Sequence, residues 1–136
     1  MTSEDTRSEH PNILHYWRMI DAFNRNDLAL VTELLDPTIL YTVPGRSVLA
    51  GETRGVAAHV AMLRLARERS GGTLKLEPRS VAAADEHLFV YGRISAVRAG
   101  KQLDSDHYVV FRFANNRVVE GRTIPADLYA FDEFWA

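Results

Sequence analysis

Two rhythms of apolar residues run along this chain. From Pro11 onward Ile13, Tyr16, Trp17, Ile20 and Phe23 recur at helical spacing, and Pro11 suits a first helical turn, so the pattern predicts a first, long helix. Asp27 can cap a second, shorter helix through "LALVTELL", which Asp36-Pro37 terminates. "TILYTV" reads as a strand ended by Pro44-Gly45. Gly51 and Gly55 bracket an irregular approach to a third helix, Val56 to Arg69, which Gly71-Gly72 stops. The spacing then changes to two. "TLKLEPRSV", "HLFVYGRISAVR", "LDSDHYVVFRFA" and "RVVEGRTI" read as successive strands, the last pair joined by the two-residue hairpin signal Asn115-Asn116. "ADLYAFDEFWA" leaves the sheet carrying four aromatics that need something to cover, and Asp127 fits a helix or turn cap. Helices followed by an antiparallel meander define an α+β layout, with the helices on one face of a curved sheet. Residues 1–9 are polar without a pattern and are expected to be a frayed terminus, leaving residues 10–136 as one domain.

Within "LDSDHYVVFRF", side-chain alternation puts Leu103, Ser105, His107, Val109, Phe111 and Phe113 on one face. Asp104, Asp106, Tyr108, Val110 and Arg112 share the other. If the aromatic face is buried, His107 points inward and both aspartates point out, so the three do not work as one unit. Tyr91, Arg93, Glu120 and Arg122 fall on the same polar alternation as Asp106, and cross-strand ion pairs with Arg93 or Arg112 are the ordinary use of such acids. Such a face, with its tyrosines, could also meet a second subunit.

Composition narrows the classes. The chain has 136 residues, 46% hydrophobic and 25% charged, which suits a single ordinary core. Sixteen basic against 18 acidic residues leave a net charge of −2, with no global footprint for nucleic acid or an anionic membrane. There are no cysteines, hence no disulfide and no thiolate chemistry. The polar opening "MTSEDTRSEHPN" lacks an apolar signal region and no apolar run reaches membrane-spanning length, so the default location is cytoplasmic. His10, His15, His59 and His87 lie on separate elements without ligand spacing, which gives a metal site no support. No phosphate loop, nucleophile elbow or cofactor fingerprint is present, so no cofactor is called for.

Four landmarks in order, "DAFNRNDLALVTELLDPTILYTVPG", "LAGETRG", "FRFANNRVVEGR" and "ADLYAFDEFW", resemble the SnoaL-like polyketide cyclase branch of the nuclear transport factor 2-like superfamily. The resemblance covers about residues 12–136 and implies a cone-shaped antiparallel or mixed sheet wrapped around the N-terminal helix. Two further helices, an internal apolar pocket and a homodimer come with it. Ketosteroid isomerase, limonene epoxide hydrolase, scytalone dehydratase and polyketide cyclases share that architecture, so the fold alone does not choose a reaction. Aligned on "AFN", "PG" and "FRF", the positions that carry catalytic groups in ketosteroid isomerase fall near Met19, Val43 and Val109, all apolar here. The aspartate base of the polyketide cyclases falls near Thr123, and histidines of close relatives fall near Thr42 and Val109.

The catalytic candidates that remain are His107, which titrates near neutrality and turns toward the implied cavity, and Tyr16 and Tyr41 as donors to a substrate oxygen. A hydrogen-bonded rim histidine and packed tyrosines are the ordinary alternatives. Trp17, Met19, Ile20, Thr42, Val43, Val109, Phe111, Thr123 and Trp135 are the expected substrate contacts. Together they imply cofactor-independent isomerisation, cyclisation or dehydration of a small, apolar, oxygenated metabolite such as a polyketide or terpenoid intermediate. The rival readings are a carrier of an apolar ligand and a dimeric interaction module.

Overall fold

The computed structural model describes residues 10–136; the fraying expected of residues 1–9 lies outside the described residues. Helix α1 (Pro11–Asn24) carries proline in its first turn and takes its cap from His10, whose Nδ1 accepts from the Asn12 N–H at 3.1 Å. Its stripe of Ile13, Tyr16, Ile20 and Phe23 is buried, and Trp17 sits half-buried on the shoulder. Asp27 caps α2 (Leu28–Leu34), its Oδ1 accepting from the Leu30 N–H at 3.1 Å. Strand β1 (Leu35–Val43) begins before the apolar alternation does, because Leu35 already pairs with Val118. That boundary is set by a distant partner.

Between β1 and α3 (Val56–Arg69) the chain forms a short strand β2 (Gly51–Arg54) where the sequence pattern indicates an irregular approach. Its residues are polar and mostly exposed, and it exists through antiparallel pairing with β1, Tyr41 opposite Thr53 and Val43 opposite Gly51. Strands β3 (Lys75–Ala84), β4 (His87–Arg98), β5 (Lys101–Ala114) and β6 (Arg117–Pro125) follow as the expected meander. Asn115 and Asn116 both take positive φ, 52° and 63°, as their hairpin turn requires. The six strands run in the order β2-β1-β6-β5-β4-β3. β1 lies parallel to β6 and every other neighbouring pair is antiparallel, so the sheet is mixed and unclosed.

Register shifts near Pro78 in β3, at Val119 in β6 opposite Phe113, and between Leu35 and Leu40 in β1 accompany the bending of the sheet into an open cone. The bend at Pro78 needs a glycine opposite. A Cβ on Gly92 would lie 2.4 Å from the Glu77 carbonyl oxygen.

The last residues form a fourth helix, α4 (Leu128–Trp135), capped by Asp127 through its Oδ1 and the Ala130 N–H at 3.0 Å. Its aromatics Phe131, Phe134 and Trp135 are buried. Contacts from outside anchor it. The Asp132 carboxylate rests on Gly45 and accepts from the Arg46 N–H, while Arg98 donates to the Phe134 carbonyl at 3.1 Å.

Candidate functional site

The inward-facing side chains of the sheet and the buried faces of α1, α3 and α4 do not meet completely. They leave a cavity of about 110 Å³. Its wall is overwhelmingly apolar, from Met19 and Ile20 of α1 and Val43 of β1 to Val109 and Phe111 of β5 and Trp135 of α4. No Asp, Glu, Lys or Arg lines it among the described residues. Polar character comes from Tyr16, Tyr41, His59, His107 and Thr123, with the indole N–H of Trp135.

Tyr41 and Thr123 stand on neighbouring parallel strands, and their hydroxyl oxygens are 2.5 Å apart. Gly121 makes room for this pair, since a Cβ there would lie 2.6 Å from the Tyr41 ring. Burial pushes the Tyr41 phenol up to about 12, against the opposing effect of the Thr123 hydrogen bond. Tyr16, tilted against Phe111 with ring centroids 5.7 Å apart, is pushed up by burial and, to a lesser degree, by Tyr41. Its hydroxyl has no hydrogen-bond partner among the described residues, so it is a protonated donor free for a ligand.

His107 stands on β5 opposite Gly92 on one side and Pro125 on the other, and its ring stacks at 6.3 Å on Phe131 of α4. Burial alone lowers its pKa to about 4. His59 projects from α3 onto the Tyr41 ring, centroids 4.6 Å apart, and burial lowers it to about 4 as well. Both imidazoles are neutral at pH 7. Neither finds a hydrogen-bond partner among the described residues, and their Nδ1 atoms are fully buried. An unpaired buried polar group costs about 1–3 kcal/mol, so each ring carries unspent binding capacity.

The sheet faces fall as the alternation along β5 indicates. His107, Val109, Phe111 and Phe113 are buried, and Asp104 and Asp106 point outward, where Arg93 binds them at 2.7 and 3.0 Å. Tyr91 also donates to Asp106 at 2.9 Å, and these two partners, Arg93 first, hold its carboxyl below the usual range. Arg112 pairs with Glu120 on the same outer face.

The cavity wall brings together His107, Tyr16, Tyr41, Met19, Ile20, Val43, Val109, Phe111, Thr123 and Trp135. Two expected contacts are elsewhere. Thr42 alternates to the outer face of β1, where it lines a shallow groove with Glu52 and Arg122, because Tyr41 and Val43 take the inward positions. Trp17 packs edge-on against Tyr16 at 5.8 Å, one helical step off the wall. His59 is a wall residue that sequence reasoning did not select, and Phe131, expected with Phe134 and Trp135 either to close the cone's mouth or to pack in the core, also lines the wall. A signal for His59 existed: with Met62, Leu63 and Ala66 it completes an i, i+3, i+4, i+7 stripe whose other members are apolar.

A mixed sheet curled into an open cone over an internal cavity is the architecture of nuclear transport factor 2-like proteins. Within that class the chain belongs to the SnoaL-like family, whose domain model matches residues 17–121. The family includes polyketide cyclases and isomerases. An uncharacterized protein of Mycobacterium tuberculosis is 34% identical over 120 residues, which are 88% of this chain and 92% of that relative. The structure of Bal32a, from a soil-derived mobile gene cassette, superposes with a TM-score of 0.90 at 38% identity, covering 93% of this chain and 97% of Bal32a. An NTF2-like protein of unknown function from Burkholderia pseudomallei gives a TM-score of 0.85 at 22% identity, over 94% and 99% of the two chains, a likeness of fold alone. Among the described residues no helix is long and apolar enough to cross a membrane.

Proposed function

We propose that residues 10–136 form one pocket-bearing unit that takes up an uncharged, largely apolar, oxygenated metabolite and rearranges it without a cofactor, by isomerisation, cyclisation or dehydration. One observation carries this reading: an apolar cavity whose Tyr16 hydroxyl and His107 and His59 ring nitrogens have no hydrogen-bond partner among the described residues. Tyr41 shares a hydrogen bond with Thr123, whereas the Tyr16 hydroxyl has no hydrogen-bond partner among the described residues and is the proposed donor to a substrate oxygen. His107, uncharged at neutral pH, accepts a proton from the substrate and returns it at a second position. The apolar wall holds a flexible substrate in a reactive shape.

The test is turnover of a substrate found by screening, with His107→Ala and His107→Gln compared. Loss of roughly 10²–10⁴-fold in kcat in both variants is expected. Full turnover in both removes His107 from the chemistry.

A carrier without catalysis is the second reading, favoured by the lack of any carboxylate among the described wall residues and by the weak basicity of both imidazoles. Mass spectrometry of the bound compound after incubation separates the two, since only the enzyme changes it. In either case a second copy of the chain is the proposed protein partner, docking on the outer face of the sheet.

A further inference from the structure

We infer that His59 is a second ligand-binding residue, and that the cavity selects an uncharged compound of about one six-membered ring with oxygen functions at its two ends. This inference rests on the pocket reading above and narrows it to a substrate class. Size is the first argument. A cavity near 150 Å³ holds a benzene-sized molecule, so one of about 110 Å³ takes a single ring only with a small outward shift of its apolar wall and leaves no room for a fused multi-ring skeleton.

The second argument is the placement of the polar groups. His59 lies against Tyr41, and the Tyr41 hydroxyl meets Thr123, so these three form one polar pole. Thr123 is the cross-strand neighbour of Val109. His107 lies two residues further along β5, about 7 Å at the rise of an extended strand, and forms the other pole. Apolar Val109 lines the wall beside both. His59 is 6% exposed and His107 7%, and neither ring has a hydrogen-bond partner among the described residues, so a ligand that leaves either pole unmatched forfeits a hydrogen bond. The absence of ionised side chains on the described wall excludes a charged ligand on desolvation grounds.

Four probes test this by calorimetry and by NMR: cyclohexane-1,4-dione, cyclohexanone, cyclohexane and the four-ring androst-4-ene-3,17-dione. The one-ring dione is expected to bind about tenfold or more tighter than cyclohexanone and to shift the His59 ring nitrogen resonances, which cyclohexane leaves in place. His59→Leu should reduce the dione to within about twofold of cyclohexanone, and His59→Gln, which keeps a donor and an acceptor, should retain part of the advantage. The ring resonances of the unmodified protein decide the matter if the leucine variant does not fold. The inference is overturned if the dione has no advantage, if His59→Leu leaves that advantage intact, or if the four-ring dione binds as tightly as the one-ring dione. Entry of cyclohexanone and cyclohexane without any preference for the dione would sink the inference alone. If none of the four enters, the pocket reading falls with it.

Discussion

His59 and His107 are uncharged because they are buried, and that sets the sign of the pH dependence of stability. Their pKa values in the folded chain are about 4, against an ordinary 6.5. Between those values the unfolded chain binds protons that the folded chain refuses, so stability rises with pH through this window. It is complete above about 6.5 and is lost as pH falls toward 4, by at most roughly 3 kcal/mol per ring. His15 acts in the same direction, its burial outweighing the hydrogen bond with the Leu34 carbonyl. Asp36 and Asp106, whose carboxyls are lowered, lose their contribution only at more acid pH. Melting temperatures from pH 7.5 to 4.5 should therefore fall in the unmodified protein and fall less in His59→Phe/His107→Phe. Equal slopes would show that burial does not hold these rings neutral. His107 was legible because strand alternation has a period of two and its neighbours are aromatic. His59 was passed over because it was weighed only as a metal ligand, although its stripe with Met62, Leu63 and Ala66 marked the buried face of a weakly amphipathic helix.

At the scale of elements, sequence pattern located what local chemistry dictates and missed what distant contacts create. Helix α3 and strand β4 span the residues that glycines, caps and alternation mark. Strand β2 carries almost no apolar signal and depends on pairing with β1. Helix α4 is too short to be stable by itself and is held from outside. Besides the buried faces of Phe131, Phe134 and Trp135, its ties are Asp132 on the loop after β1, Arg98 on its C-terminal carbonyls, and Lys101 on the Glu133 carbonyl at 2.7 Å. Because each hydrogen bond is worth about 0.5–1.5 kcal/mol, Arg98→Ala/Asp132→Ala should speed amide exchange across residues 128–135 roughly tenfold or more. Amides at the centre of β5 should keep their protection, as read by hydrogen–deuterium exchange mass spectrometry. Matching acceleration in both segments would mean that α4 opens only with the whole sheet.

For the molecule as a whole, the inner and outer faces of one sheet pose opposite problems. Inside, apolar side chains are covered by helices and leave a small hollow. Outside, Phe89, Tyr108 and Ile124 remain 46%, 40% and 40% exposed, with Tyr91 and Val110 between them. Tyr91 and Tyr108 pack ring to ring at 5.3 Å, so the patch is ordered by its own contacts. Paired charges frame it, Arg93 with its two aspartates on one side and Arg112 with Glu120 on the other, an arrangement of apolar centre and polar rim suited to association. A patch crossing a two-fold axis is self-complementary, so one substitution alters the interface twice. Ile124→Lys places a charge among apolar side chains of both copies without touching the cavity, because Ile124 faces away from Thr123. Sedimentation equilibrium of the unmodified chain should report two copies per particle, and Ile124→Lys should shift it to one while its melting curve stays cooperative. A single-chain particle in the unmodified protein would leave this face to a different partner, and a two-chain particle unchanged by Ile124→Lys would place the interface elsewhere.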